Sequence, residues 1–421
     1  MSFDPSHAKE LDRADALGDF RSQFHLPRDE QGRQQVYLCG HSLGLQPRST
    51  ARVIQEELET WARLGVEGHF HSARPWLSYH EQVTPGLARL TGAHSDEVVA
   101  MNSLTVNLHL MLASFYRPTT ARYRILCEQR AFSSDRYALA SHPKLHGITA
   151  TDALVEIPAR ESDYVLSTDA ILEYIERLGT NTAVVLLPGV QFLSGQRLDL
   201  RRITAAAHRA GCMVGFDLAH AIGNVPLQLH NWDVDFAVWC SYKYLNAGPG
   251  AIGGCFVHRR HGHDIARVRL AGWWGHRKNT RFDMPEAFEP IEGAEGWQIS
   301  NPPIFAIAPL IASLQMFDQA TLPALRQKSV RLTAYLYDLI RAIPEQRVQI
   351  LTPDDAEQRG CQLSLRLNES PDRAKAIHAE LTARGFVCDW REPDVVRVAP
   401  VPFYNSFSDV RQFADTLRQI V

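Results

Sequence analysis

The residues best suited to chemistry lie between 213 and 250. Asp217 closes the apolar run Met213–Phe216, and His220 follows three residues on. After the next apolar run, Phe236–Cys240, comes Ser241-Tyr242-Lys243-Tyr244. An acid and an amine thus stand just past the C-terminal ends of neighbouring buried strands, the edge where ligands bind in open α/β sheets. A lysine there, beside glycine-rich backbone, can form a Schiff base. An aspartate there can pair with a pyridinium nitrogen, as in pyridoxal 5'-phosphate sites. Each has a plainer use alone, Asp217 as a helix N-cap and Lys243 as a surface residue. Together on adjacent strands they point to the cofactor.

Two further segments fit a phosphorylated ring. Asn102-Ser103-Leu104-Thr105 opens a helix whose Leu108, Met111, Leu112 and Phe115 follow the i, i+3, i+4, i+7 rule. The free N–H groups and a hydroxyl at that N-terminus can hold an anion; the alternative is simple capping by Asn102 or Ser103. Phe132, in Ala131-Phe132-Ser133-Ser134-Asp135, can stack on a flat ring or pack in the core. Two other patterns mislead. Gly248–Gly253 matches GxGxxG, but it precedes a strand and contains Pro249, so it reads as a tight turn rather than a dinucleotide site. His258, His261 and His263 stand among Arg259, Arg260 and Arg267, which repel a cation; they read as a solvated basic loop, and no metal is expected.

These residues need a scaffold. The 421-residue chain suggests two or three domains. At 45% apolar, 22% charged and a formal charge of −3 it is an ordinary globular composition, with no electrostatic footprint for nucleic acid or an anionic membrane. No apolar run approaches the length of a membrane span, and the start carries no signal-peptide core. Seven scattered cysteines without a CxxC pair suggest a reducing, cytoplasmic setting. Asp4-Pro5 reads as the start of a helical arm, Val36–Gly44 as a strand running into a turn, and 50–64 as a helix. From about 100 to 260, strands at 123–127, 183–187, 213–216, 236–240 and 252–257 alternate with helices at 167–178 and 203–210. That alternation predicts α/β architecture with a doubly wound, mostly parallel sheet. The tail alternates differently, with strands at 362–367, 386–388 and 395–398, and helices opened by Ser370-Pro371 and by the capping-box sequence Ser406–Asp409. The expected organisation is an arm over 1–45, a large domain over 46–304 and a smaller α+β domain over 305–421.

Six segments together carry a family resemblance: Cys39-Gly40-His41-Ser42-Leu43-Gly44-Leu45, Met101–Leu110, Phe216–His220, Trp239–Ala247, Ile299-Ser300-Asn301-Pro302-Pro303 and Val396-Arg397-Val398-Ala399-Pro400. From about residue 30 onward the chain resembles the kynureninases. The resemblance implies a homodimeric pyridoxal-phosphate hydrolase of fold type I. Such enzymes cleave L-kynurenine or L-3-hydroxykynurenine to L-alanine plus anthranilate or 3-hydroxyanthranilate, in tryptophan breakdown or nicotinamide-cofactor synthesis. By position, the resemblance makes Lys243 the Schiff-base lysine and Asp217 the pyridinium partner, with His220 near the ring. It makes Leu104 and Thr105 phosphate contacts, Phe132 the stacking ring of a loop continued by Ser133, Ser134 and Asp135, and Tyr242 a phosphate-bound proton donor. Trp273 and Asn301 match further cofactor positions, and Arg397 the arginine for the substrate α-carboxylate. Gly68-His69, Trp273 and Asn301 resemble the pattern that favours 3-hydroxykynurenine, with His69 and Asn301 able to bond a ring hydroxyl; the alternative is that His69 packs in its loop with His71 and Trp76. The chain departs from the family at His41, usually Asn, and at Ser133, often Pro.

Two rival readings share the cofactor. A cysteine desulfurase or selenocysteine lyase needs a mobile nucleophilic cysteine, and Cys361 and Cys388 fall in predicted strands, where buried thiols are inert. A non-catalytic pyridoxal-binding protein would be expected to bring a DNA-binding module, and none is visible.

Overall fold

The computed structural model describes residues 5–421, so the proposed cap Asp4 lies outside the described residues. Helix α1 (Pro5–Arg13) leads to the short strand β1 (Val36–Tyr37), then α2 (Thr50–Leu64), α3 (Gly68–His71) and α4 (Thr84–Thr91). The central sheet is built from β2 (Val98–Ala100), β3 (Arg124–Glu128), β4 (Leu154–Ile157), β5 (Thr182–Pro188), β6 (Met213–Asp217), β7 (Phe236–Cys240) and β8 (Gly253–Val257). Its order is β2-β8-β7-β6-β5-β3-β4. Strands β7 to β4 run parallel, whereas β8 is antiparallel to both of its neighbours. The connecting helices are α5 (Leu104–Phe115), α6 (Ser133–Leu145), α7 (Ala150–Ala153), α8 (Thr168–Leu178), α9 (Leu200–Arg209) and the single turn α10 (Arg259–Gly262).

Strand residues feed two cores in alternation, because successive side chains point to opposite faces. Leu126, Val185, Leu187, Val214 and Phe216 enter one core, with α8, α9 and the long helix α11 (Ile304–Ala320). Ile125, Cys127, Val184, Leu186 and Val238 enter the other, under α5 and α6. The chain leaves β3 toward β4 on one side and returns to β5 on the other. The order of connections therefore reverses between β3 and β5, and a crevice opens beyond their C-terminal ends.

The second domain has its own core. Helix α12 (Leu322–Arg341) is followed by β9 (Val348–Ile350), β10 (Leu363–Leu367), α13 (Pro371–Ala383), β11 (Phe386–Val387), β12 (Asp389–Arg391), β13 (Val395–Val398) and α14 (Phe407–Ile420). Four of these strands form an antiparallel sheet in the order β12-β13-β10-β9. Ser370 and Ser406 cap α13 and α14 as expected, the latter in a capping box with Asp409. The expected boundary at 305 is displaced. Ile307, Leu310, Leu314 and Phe317 of α11 pack in the large core, and the second core begins with Leu332 of α12. Helix α11 is apolar on nearly all sides, so it must be covered all round. The arm also joins the second core, through Ala8 and Leu38, and β1 pairs in parallel with β11.

The basic loop is a second correction. His258 and His261 are buried rather than solvated. Asp235 accepts from both His208 and His261 at 2.9 and 2.7 Å, and Glu97 lies 3.8 Å from His258. Acids distant in sequence neutralise the cluster. Among the described residues, no single helix is long and apolar enough to cross a membrane.

The turn after β1 is moored to the Lys243 loop. The Gly44 N–H donates to the Tyr242 carbonyl at 2.8 Å. A Cβ on Gly44 would collide with the Lys243 carbonyl oxygen and with Asn246. Gly44→Ala should therefore cost about 1–3 kcal/mol by overpacking. The expected result is a lower melting temperature and weaker cofactor retention, read by thermal denaturation with and without pyridoxal phosphate; an unchanged melt would contradict the close approach.

Candidate active site

Three strands that end at the crevice deliver functional groups. Strand β3 ends on Glu128, β6 on Asp217, and β7 runs into Ser241-Tyr242-Lys243. Asp217 sits in register with Pro188 on one side and Val238 on the other, at the centre of the parallel strands. A cavity of about 190 Å³ occupies the crevice. Its walls include Leu104, Thr105, Phe132, Ser134, Asp135, Asp217, His220, Tyr242 and Lys243. Nine of the residues singled out in the sequence thus converge from four separate segments.

Lys243 Nζ lies 2.9 Å from His220 Nε2 and 5.8 Å from the centre of the Phe132 ring. Burial, and then the charges of Lys243 and Arg397, hold His220 well below the usual imidazole range, so its ring is neutral and accepts from the amine. Asp217 accepts from the Ala219 N–H at 2.7 Å. Burial, and then the charge of the neighbouring Asp217, push the Asp135 carboxyl well up. Tyr242 is also pushed up, chiefly by burial, and keeps its phenolic proton.

One wall is made for an anion. No side chain caps α5, although Ser103 occupies the N-cap, and none caps α6, whose N-cap is Phe132. Capping by Asn102, the alternative open in the sequence, does not occur; its side chain donates to Asn107 instead. Both helix N-termini meet where Thr105 Oγ1 and Ser134 Oγ lie 2.7 Å apart. Uncapped N–H groups and two hydroxyls at converging positive dipole ends suit a phosphate. The donor set fits pyridoxal phosphate: an anion cradle at one end, an amine at the aldehyde end, a buried carboxylate for the ring nitrogen, and the Phe132 and His220 rings beside the plane.

Arg397 lies outside this cavity, fully buried where β13 meets the crevice. Its Nε and Nη2 both donate to Asp389 Oδ1, at 2.8 and 2.7 Å, and its Nη1 donates to the Phe192 carbonyl at 2.6 Å. Phe192 also lines the cavity and meets Phe132 edge to face at 5.4 Å. Ser133 is exposed and does not line the cavity.

Three expected residues stand apart. Trp273 is exposed, with Nε1 donating to the Arg281 carbonyl. Asn301 is exposed, and His69 packs edge-on against Trp76 at 5.2 Å with Nδ1 on the Val66 carbonyl. Within one chain none of them reaches the cavity; the loop-packing alternative for His69 is what one chain shows.

Glu128 was not singled out from the sequence. Its neighbours in β3 are apolar, so it reads as the last polar residue of a strand. Burial raises its carboxyl to about 8, with Asp217 adding to the rise and Gln191 opposing it.

Solved structures with this fold include a C-DES mutant with glycine covalently linked to its pyridoxal-phosphate cofactor (TM-score 0.78, 18% identity, covering 94% of this chain and 98% of that one). Another is the cysteine desulfurase CsdA from Escherichia coli (TM-score 0.75, 17% identity, covering 96% and 98%). The architecture is that of the pyridoxal-phosphate enzymes of fold type I, and pyridoxal phosphate is the cofactor. A model of the kynureninase C-terminal domain matches residues 325–417. Over nearly the whole length the chain is similar to kynureninase from Myxococcus xanthus, 57% identical over 412 residues and covering 98% of this chain and 96% of the other. Kynureninase from Koribacter versatilis is 50% identical, covering 96% and 95%. The chain belongs to the kynureninase family.

The Glu128 carboxyl makes the cofactor-free protein pH-sensitive. Its folded value lies above its unfolded one near 4.5. The penalty for ionising it is therefore absent below about pH 4.5, grows as the unfolded state loses its proton, and is complete above about pH 8. Glu128→Gln should leave the melting temperature of the apo protein unchanged near pH 4.5 and raise it increasingly up to pH 8. A constant difference across that range would show that Glu128 does not titrate in this way.

Proposed function

We propose that this chain hydrolyses the Cβ–Cγ bond of L-kynurenine or L-3-hydroxykynurenine, releasing L-alanine and anthranilate or 3-hydroxyanthranilate. The observation that carries the reading is Lys243 beside His220 and Asp217 in a cavity with an uncapped anion cradle, in a chain of this family. Bound pyridoxal phosphate supplies an electron sink for negative charge developing at the substrate α-carbon. Lys243 would hold the cofactor aldehyde, and as a free amine it would take the α-proton. The His220 ring accepts from Nζ and so keeps the amine aimed into the cavity. Asp217 would hold the proton on the ring nitrogen, with the Asp135 carboxyl in the same cavity wall. Arg397, fixed by Asp389 and Phe192, presents its remaining N–H groups to the α-carboxylate, a fork that lysine would replace poorly. Water adds to the γ-carbonyl carbon, the Cβ–Cγ bond breaks and the aryl acid departs; the α-carbon regains the proton it gave up, and a further proton goes to Cβ. Tyr242 keeps its proton and faces the cavity, which suits it to that last transfer.

The sulfur-transfer alternative loses its nucleophile. Burial pushes all seven thiols up, with Cys361 at about 12 and Cys39 and Cys240 at about 11. A poised cysteine has the opposite shift.

The working unit is a homodimer in this reading. Trp61 of α2 and Phe305 of α11 are exposed and lie 6.2 Å apart, and Phe70 and Trp273 are exposed as well. Gly272 packs on Ile299, so the segments of Trp273 and Asn301 lie together; these two and His69 are the expected residues that one chain leaves away from the cavity. A second copy burying the exposed rings would bring these three residues to a cavity, where His69 and Asn301 could recognise a ring hydroxyl. The reaction needs no membrane or nucleic-acid partner, and a cytoplasmic setting suits the seven free thiols.

Five outcomes test this reading. Mixing the loaded protein with kynurenine should produce anthranilate fluorescence, and borohydride should fix the cofactor to the Lys243 peptide; labelling of another lysine would end the assignment. Asp217→Asn should lower kcat/KM at least about 100-fold, because stabilisation of developing charge is a large contribution. Trp61→Asp should shift the protein toward monomer in sedimentation and lower activity in parallel. The ratio of kcat/KM for the 3-hydroxy substrate over kynurenine should exceed one and fall when His69 or Asn301 is made apolar.

A further inference from the structure

His41 has no part in the geometry described so far. It is fully buried, and neither ring nitrogen has a hydrogen-bond partner. A neutral imidazole always presents one N–H donor and one acceptor. Leaving such groups buried and unpaired costs about 1–3 kcal/mol each. The ring cannot easily turn away to find partners. The Ser42 and Leu43 N–H groups both donate to the Cys39 carbonyl, Cys39 bridges to Ala399, and Gly44 is tied to Tyr242. Gly40 is packed so closely on Tyr404 and Val401 that no Cβ fits there.

Its neighbours show what it is placed for. On one side the His41 ring lies 6.4 Å from the His220 ring, which meets Lys243. On the other, His41, Cys39 and Asp389 place a ring nitrogen, a thiol and a carboxylate oxygen within 4.8 Å of one another. Asp389 in turn holds Arg397. His41 therefore stands between the amine that takes up a substrate and the guanidinium that takes its carboxylate. An α-amino acid carries both groups on one carbon, so a ligand held at both ends passes this ring.

We propose that His41 is a substrate-binding residue that donates a ring N–H to the α-carboxylate of the amino acid held by Arg397. The inference rests on the reading of the chain as an amino-acid enzyme. The competing occupant is a soft divalent cation held by Cys39, His41 and Asp389. Three cationic groups, Arg397, Lys243 and Arg391, act on His41, so the local field favours an anion. Burial also keeps the Cys39 thiol protonated at neutral pH, whereas a metal needs the thiolate. Arg397 and His41 are both closed to solvent, so a carboxylate that parts them meets no competing water, and a single donor then counts heavily.

The test uses the cofactor-loaded protein and two small ligands, L-alanine and its decarboxylated counterpart ethylamine, each titrated by the change in cofactor absorbance. A hydrogen bond to a charged group is worth about 1.5–3 kcal/mol, or roughly 10–150-fold in affinity. His41→Leu should weaken L-alanine at least about 10-fold and leave ethylamine within about 2-fold, and His41→Asn should recover most of the loss. His41→Phe keeps the ring without the N–H and should behave as His41→Leu does; it serves if the leucine variant melts early. Equal weakening of both ligands, no weakening, or no L-alanine binding by the unaltered protein would overturn the proposal. So would one equivalent of zinc in the purified protein that disappears in His41→Asn. Kynurenine turnover is measured alongside. Its absence with the alanine effect intact would refute the kynurenine reading and leave His41 in place, while turnover without the alanine effect would refute His41 alone.

Discussion

A primary amine that must react with a carbonyl has to be buried without being locked into an ion pair. Lys243 shares its cavity with three carboxyl groups, Asp217, Asp135 and Glu128, yet its Nζ meets the neutral His220 ring. Desolvation makes this arrangement workable. It pushes Glu128 and Asp135 toward their protonated forms, so like charges do not accumulate beside Asp217. The same desolvation keeps His220 an acceptor. One negative charge is thereby left where a ring nitrogen needs it, and one amine faces the cavity.

The rest of the fold serves that balance. Parallel strands place Asp217 and the Lys243 loop at one edge, and the reversal between β3 and β5 opens space beyond it. Helices α5 and α6 then approach the same space with bare N-termini. The arm packs against the Lys243 loop. Gly40 and Gly44 allow its turn to lie against Tyr404 and the Lys243 carbonyl, which brings His41 between the two domains. The small domain contributes Arg397 and its partner Asp389, and Arg397 reaches across to the Phe192 carbonyl of the large domain.

What was legible in the sequence follows from locality. Buried strands announce themselves by short apolar runs, so β5, β6, β7 and β13 were visible, and with them Asp217 and Lys243; Arg397, inside β13, was singled out only by the family resemblance. Ser370 and Ser406 announced their helices because capping is a contact between residues three apart. Long-range facts had no such signal. Nothing near His258 shows that Glu97 and Asp235 will surround its cluster, and nothing in β3 shows that the terminal Glu128 will be sealed from water. The domain boundary was misplaced for a related reason. Asn301-Pro302-Pro303 marks a change of chain direction, but which core receives α11 depends on packing. Trp273, Asn301 and His69 were found through the family pattern, and a single chain leaves them away from the cavity.

The fold is shared with cysteine-processing enzymes at under 20% identity, so the architecture alone does not choose a reaction. The choice lies in what surrounds the substrate beyond the cofactor. Sulfur chemistry calls for a thiol whose proton is easily lost, and here burial raises every thiol, including Cys39 beside Arg397. Hydrolysis of a carbon–carbon bond calls instead for groups that hold protons in a dry site and release them when charge develops. Tyr242, Asp135 and Glu128 are held in that state by the burial that disarms the cysteines. A single physical condition, the burial of these groups, thus sets the site against one reaction of the fold and prepares it for the other.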